Sequence, residues 1–148
     1  MVINPISQAD CQEARDVILS GFRERFGFID YSLNPDIYNI IEEYKGGAHH
    51  FFVGMKNERI VSTGAIRKEK DATYQIVRMS VLKEYRQQGL GRAMLLHLEN
   101  EAVKLGARRL ILETNKKWED AIQFYKNYGF TYMEEDEVSC YFEKEIPL

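Results

Sequence analysis

The fold is decided by the stretch Arg86-Gln87-Gln88-Gly89-Leu90-Gly91-Arg92-Ala93, in which two glycines precede a helical pattern. A predicted strand ends at Val81, a polar turn follows, and the helix begins within the glycine loop. Glycine lets the backbone approach a ligand closely, and the first turn of a helix leaves several N–H groups without intrahelical partners. The helix dipole adds roughly half a positive charge at that end. The pattern therefore predicts an anion site, with Arg86 and Arg92 as supplementary cations.

The same glycines have a second interpretation, a tight turn that lets the helix pack closely on the sheet. Two nucleotide-binding motifs are excluded. A Walker loop needs Lys and then Ser or Thr after the glycines, whereas Gly91 is followed by Arg92-Ala93. A dinucleotide fingerprint needs G-x-G-x-x-G near the first strand of a parallel unit, and only Gly89 and Gly91 match here, after antiparallel strands.

Length and composition predict one soluble domain covering residues 1–148. The chain is 45% hydrophobic and 12% aromatic, which is enough for one packed core. Its net charge is -3 and its longest like-charge block is the acidic run at 134–137, so we expect no nucleic-acid partner. No apolar run approaches the roughly 20 residues that span a bilayer, so we expect a cytoplasmic protein with no membrane partner. Cys11 and Cys140 lack metal-ligand spacing and are interpreted as free thiols, and no metal is expected.

Hydrophobic periodicity and turn residues predict an α/β chain that begins with a strand at 2–5. A helix capped by Ser7 is expected to run from about residue 9 to 21, and a second helix from the proline at 35 to Gly46-Gly47. Strands at 51–55 and 60–66 form a hairpin, and an antiparallel strand follows at 73–81. Beyond the glycine loop we expect a helix closed by Gly106, a strand at 109–113, a helix at 121–128, and strands at 130–133 and 138–144 joined by the acidic run. A mixed sheet flanked by helices follows from this order.

Residues 78–81, the glycine loop at 85–93 and residues 121–130 occur in an order and spacing that resemble the GNAT superfamily of N-acetyltransferases. The phosphate-loop pattern of that family is Q/R-x-x-G-x-G/A, which Arg86, Gly89 and Gly91 match. The resemblance covers about 73–130, whereas the amino-terminal half fits only through its order of elements. It implies a central mixed, mostly antiparallel sheet flanked by helices.

The resemblance also implies acetyl-CoA as co-substrate. The pantetheine arm would pair with the exposed backbone of Met79, Ser80 and Val81, which is strand addition to a free edge. Trp118 stands where many relatives carry an asparagine or glutamine that contacts the cofactor, and indole donates only one hydrogen bond. That contact is either remade through Asn115 or replaced by packing. The implied cofactor residues are Met79, Ser80, Val81, Arg86, Gln87, Gln88, Gly89, Leu90, Gly91, Arg92, Asn115 and Trp118.

Two residues resemble catalytic positions of the family. Tyr125 falls where many members place a tyrosine that protonates the departing thiolate, although it also fits an apolar helix face. Glu113, at the end of a predicted buried strand, matches a position where some relatives carry a glutamate that acts as base. The alternative for Glu113 is a carboxylate that caps the strand end or pairs with a cation, with water as the base.

The implied reaction is acetyl transfer from acetyl-CoA to a primary amine by direct attack in a ternary complex. The acceptor is either a small-molecule amine or the amine of a protein or peptide, and the sequence does not separate these. A non-catalytic acyl-CoA-binding module is the alternative from another class. A homodimer is compatible with the sequence.

Overall fold

The computed structural model describes residues 1–147 and arranges them as a seven-stranded mixed sheet with helices on both faces. The strands are β1 (Val2–Pro5), β2 (His49–Lys56), β3 (Arg59–Lys68), β4 (Thr73–Val81), β5 (Arg109–Asn115), β6 (Thr131–Glu135) and β7 (Ser139–Glu145), and the helices are α1 (Cys11–Phe26), α2 (Ile40–Glu43), α3 (Leu90–Lys104) and α4 (Glu119–Tyr128). The order of the strands in the sheet is β1-β2-β3-β4-β5-β7-β6, and neighbouring strands are antiparallel except for β4 and β5. This confirms the predicted mixed, mostly antiparallel sheet flanked by helices.

Helices α1 and α3 bury their apolar stripes on opposite faces of the sheet. On one face Met94 and Leu98 of α3 are fully buried in a cluster with Phe142 of β7. On the other, Val17 and Ile18 of α1 belong to a second cluster that includes β3 residues. Complete burial of such a side chain stabilises the fold by about 1.5–3 kcal/mol. The two clusters therefore fix the sheet between the helices, and β4 between the two cores.

The hairpin between β2 and β3 turns at Asn57 and Glu58, which have φ angles of 54° and 63°. Positive φ at both central residues is the requirement of a type I′ turn, whose twist matches that of the strands. The predicted hairpin is therefore confirmed, with both strands longer than expected.

The two early helices differ from the prediction. Helix α1 continues through Gly21 to Phe26 and ends at Gly27, which takes the left-handed conformation with φ 78°. A glycine inside a helix costs only about 1 kcal/mol, which the packing of α1 on the sheet exceeds. The second helix is divided into a 3-10 turn at Pro35–Tyr38 and the short α2, because Asn39 has φ -148° and interrupts the helical path.

The later elements are close to the prediction, but the acidic run is divided. Glu134 and Glu135 belong to β6, so the turn into β7 consists of residues 136–138. Asp136 stabilises this turn by accepting bonds from the amides of Val138 (2.9 Å) and Ser139 (2.7 Å). No helix within residues 1–147 combines the length and apolarity needed to cross a membrane.

Candidate functional site

Strands β4 and β5 separate along their length. They pair in parallel only where Thr73 to Gln75 face Arg109 to Ile111. Beyond Gln75, β4 stays bonded to β3 through pairs such as Thr63 with Ser80 and Ser62 with Val81. The edge of β4 that faces β5 therefore presents unpaired backbone groups from about residue 76 to 81, as an exposed sheet edge does.

A β-bulge at Arg78 sets the direction of this free edge. The register with β3 shifts here, and Arg78 has a φ of 57°, which is uncommon for a residue other than glycine. Three contacts hold it: Thr63 donates from Oγ1 to the Arg78 carbonyl oxygen (2.7 Å), and the guanidinium donates to Asp36 and Asn34. Because of the bulge, the strict alternation of side chains along β4 stops before the site.

The glycine loop follows β4 and leads into α3, as predicted. Gln87 and Gly89 have φ angles of 60° and 78°. Gly89 is the N-cap of α3 and has no side chain to cap it, and its carbonyl oxygen accepts the first helical bond, from Ala93 N at 3.0 Å. The amides of Leu90 and Gly91 precede that bond, so they are among the donors that a helix N-terminus offers to an anion.

A groove of about 620 Å³ lies between the free edge of β4, the glycine loop and α4. Nine of the twelve predicted cofactor residues line it; Gln88, Asn115 and Trp118 do not. The side-chain oxygen of Gln88 accepts a bond from Lys56 Nζ at 2.9 Å. The lining consists of Met79, Ser80, Val81, Tyr85, Arg86, Gln87, Gly89, Leu90, Gly91, Arg92, Asp120, Ala121, Phe124, Tyr125 and Asn127.

Sequence reasoning missed Tyr85 and most of the α4 wall. Asp120, Ala121, Phe124 and Asn127 share that wall with Tyr125. Their spacing of three and four residues is that of one helix face, and this was the available signal. The face of α4 that contains Tyr125 is therefore the feature of the sequence that predicts this wall.

Gly91 lines the groove next to residues of both β4 and α4 and has no side chain. A Cβ built on Gly91 would lie 3.4 Å from Phe124 Cζ and 3.7 Å from Val81 Cγ2. A longer side chain would therefore extend between β4 and α4, into the groove. The groove places the free edge of β4 beside the loop amides, and these are the backbone groups that a pantetheine arm ending in phosphates would pair with, so the residues present fit acyl-CoA.

Arg86 lies in the groove wall, but its guanidinium is already bonded within the protein. Both terminal nitrogens donate to the Glu24 carboxylate (2.8 and 2.7 Å), and Nε donates to the Val81 carbonyl oxygen (3.1 Å). Arg92 lies 5.2 Å from the Tyr128 ring centroid, in a cation–π geometry.

Tyr125 lies in the α4 wall of the groove, surrounded by aromatic rings. Its ring centroid is 5.1 Å from that of Phe124, 5.9 Å from Phe130 and 6.3 Å from Phe142. Burial raises the pKa of the Tyr125 phenol well above its ordinary value. The hydroxyl therefore stays protonated at neutral pH.

Glu113 lies on the β5 side of the parted strands. It follows Ile111, the last β5 residue that pairs with β4, by two positions, and it is exposed and outside the groove lining. Its cross-strand neighbour is Tyr141 of β7. The pKa of Tyr141 is raised to about 12, first by its hydrogen bond to Asp136 and also by the negative charge of Glu113.

Asn115 and Trp118 form the connection from β5 to α4. Asn115 accepts a bond from Lys117 N through Oδ1 (2.9 Å) and one from Trp118 N through its carbonyl oxygen (3.0 Å). The indole of Trp118 packs against α1, with its ring 5.8 Å from the Phe26 ring and 4.6 Å from the Arg25 guanidinium carbon. Trp118, which stands where many relatives carry an asparagine or glutamine, thus connects α4 to α1.

The separation of β4 and β5 beside the N-terminus of α3 agrees with the result of a comparison with protein families. The model of the acetyltransferase (GNAT) family covers residues 13–130. The chain belongs to the GNAT family of acetyltransferases.

Individual relatives are similar in sequence or in fold. A Xenopus tropicalis protein described as "Probable N-acetyltransferase 14" is 31% identical over 99 residues, which are 66% of this chain and 48% of that protein. The chain thus spans about half the length of that relative. A GNAT-family acetyltransferase structure from Staphylococcus aureus has a TM-score of 0.89 at 22% identity, covering 97% of this chain and 98% of that one. The PaiA N-acetyltransferase of Thermoplasma acidophilum, solved with coenzyme A, has a TM-score of 0.81 at 16% identity, covering 98% of each chain. At identities of 22% and 16%, the likeness to these two structures shows that this chain has the same fold.

Proposed function

We propose that this protein transfers an acetyl group from acetyl-CoA to a primary amine by direct attack in a ternary complex. The observation that carries the proposal is the free edge of β4 at Met79 to Val81, beside the helix N-terminus at Gly89 to Arg92. The free edge of β4 suits the amide groups of a pantetheine arm, and the helix N-terminus suits a pyrophosphate. Coenzyme A in the Thermoplasma acidophilum relative supports the same ligand class.

Acetyl-CoA supplies an acetyl thioester when bound. In the proposed reaction the amine nitrogen forms a bond to the carbonyl carbon, the carbon–sulfur bond breaks, and the sulfur leaves as a thiolate. Tyr125 is proposed to donate its phenolic proton towards that sulfur, since the residue lies in the groove wall and burial keeps it protonated.

The attacking amine must lose a proton, and Glu113 is the proposed base. Its place on β5, two positions after the last residue paired with β4, puts its backbone at the edge of the opening. Its exposure allows a water molecule to relay the proton, with water itself as the competing base. Glu113 is distinguished from water by its effect on the pH dependence of the rate.

Calorimetry with coenzyme A, followed by a thiol-release assay with acetyl-CoA and a panel of amines, tests the proposal. The panel contains small primary amines and peptides with free amino-terminal or lysine amines. We expect coenzyme A to bind and thiol release to depend on an amine. Binding without turnover on any amine would instead favour the non-catalytic acyl-CoA-binding module, and turnover only with peptides would identify a protein-modifying enzyme.

A further inference from the structure

The last turn of α1 connects the two walls of the groove. Glu24 accepts two bonds from the Arg86 guanidinium, on the glycine-loop side. The adjacent Arg25 donates two bonds of 2.8 Å to the Asp120 carboxylate, on the α4 side. Two neighbouring residues of one helix thus make bidentate ion pairs with opposite sides of the same opening.

The two attachments differ in what supports them. On the α4 side the guanidinium of Arg25 also lies over the Trp118 ring, against which Phe26 packs. Its bonds lower the pKa of Asp120, so the pair stays charged at neutral pH. On the loop side the Arg86 and Glu24 side chains are 45% and 28% exposed, and Arg86 also donates from Nε to the Val81 carbonyl oxygen. The Arg25 and Asp120 side chains are 34% and 71% exposed, so exposure does not distinguish the two attachments. The loop-side attachment is the one whose guanidinium lies in the groove wall beside the helix N-terminus, so it is the one that an anion bound there can replace.

A phosphate on the glycine loop needs the same donors that Glu24 uses. Arg86 lines the groove three residues before Gly89, the N-cap of α3, and its planar guanidinium binds carboxylates and phosphates in the same bidentate manner. Its Nε bond to the Val81 carbonyl oxygen holds the group beside the free edge. A pyrophosphate and the Glu24 carboxylate therefore compete for one guanidinium, and the two anions repel each other if both approach it.

We propose that Glu24 is a positioning residue that holds Arg86 in competition with the pyrophosphate of acyl-CoA, an inference that rests on the proposed function. Acyl-CoA binding then releases the loop-side attachment of α1 and leaves the pair of Arg25 and Asp120 in place. Glu24 thereby lowers the affinity for acyl-CoA.

Calorimetry with coenzyme A and with pantetheine, which has no pyrophosphate, tests this inference. Glu24→Gln should raise the coenzyme A affinity by about two- to fivefold, the usual strength of a partly exposed ion pair, and leave the pantetheine affinity unchanged. Glu13→Gln is the matched control on the same helix, because it makes the same charge change at a carboxylate that accepts from Ile60 N. It should leave both affinities unchanged. In an Arg86→Gln background, Glu24→Gln should have no effect on coenzyme A affinity, since the contested guanidinium is absent.

Unchanged or weaker coenzyme A binding by Glu24→Gln would contradict the inference, as would an equal gain for pantetheine. In either case the proposed function stands, provided that the unmodified protein binds coenzyme A. If the unmodified protein binds no coenzyme A, both proposals fail together.

Discussion

Arg78 donates from Nε to Asp36 Oδ2 at 2.9 Å, which ties the bulge of β4 to the segment before α2. Its second terminal nitrogen bonds the other oxygen of the same carboxylate, and the Tyr44 hydroxyl donates to Asp36 Oδ2 at 2.8 Å. Burial pushes the pKa of Asp36 up, but the bonds and charge of Arg78 outweigh burial, and the pKa is lowered overall. The amino-terminal half of the protein thus fixes the strand that borders the groove.

Replacing Arg78 with alanine should destabilise the protein by about 2–4 kcal/mol, because it leaves the largely buried Asp36 carboxylate without its charged partner. Urea unfolding monitored by circular dichroism measures the loss. Lys45→Ala is the control, since it removes an ion pair with Glu42 whose side chains are mostly exposed, and it should cost less than about 1 kcal/mol. Equal effects of the two changes would mean that the contact with Asp36 does not stabilise the bulge.

Gly89→Asp should abolish measurable coenzyme A binding, because it places a negative charge against the loop amides. Gly106→Asp is a matched control: both glycines have positive φ (78° and 91°) and open space around a built Cβ, so the backbone strain is similar. Gly106 follows the other end of α3 and should leave binding intact. Calorimetry on both variants separates the anion site from the packing-turn interpretation, which predicts that both bind coenzyme A alike.

Tyr125→Phe should keep coenzyme A affinity and lower the turnover number by about a hundredfold, if the phenol protonates the leaving sulfur. The control is Tyr128→Phe on the same helix, which removes a bond to Glu99 (2.7 Å) outside the groove lining and should keep the turnover number. Steady-state kinetics compare the two. Full activity of Tyr125→Phe would assign this tyrosine to packing.

The pH dependence of the turnover number tests the same role of Tyr125. The protonated phenol is the active form, and burial raises the pKa of Tyr125 above the ordinary value of 10.0. The active form therefore persists at pH 10, and we expect no loss of turnover from tyrosine ionisation up to that pH. A basic limb below pH 10 that disappears in Tyr125→Phe would contradict this expectation.

Glu113→Gln should remove or shift the acid limb of the pH–rate profile if Glu113 is the base. The amide cannot accept the proton, so the rate at neutral pH should also fall, by roughly a hundredfold. The exposed Glu137 lies in the turn before β7 and provides a control at Glu137→Gln, which should leave the profile unchanged. An unaltered profile in Glu113→Gln would leave water as the base.

Local signals in the sequence predicted the sheet and the glycine loop, because each depends on neighbouring residues. The β4 edge at Met79 to Val81 and Tyr125 were implied by the resemblance to the family. The end of α1 was misplaced at Gly21, since tertiary packing outweighs the cost of one helical glycine. The bulge at Arg78 had no local signal: an arginine with positive φ is held there by Thr63 and Asp36, which are distant in the chain. The ion pair of Arg86 with Glu24, which are 62 residues apart, was equally invisible.

The central claim is tested most directly by following thiol release from acetyl-CoA with and without a primary-amine acceptor, and identifying the product by mass spectrometry. The account predicts thiol release that depends on the amine and an acceptor heavier by one acetyl group. Tight coenzyme A binding without thiol release on any small-molecule or peptide amine would contradict it.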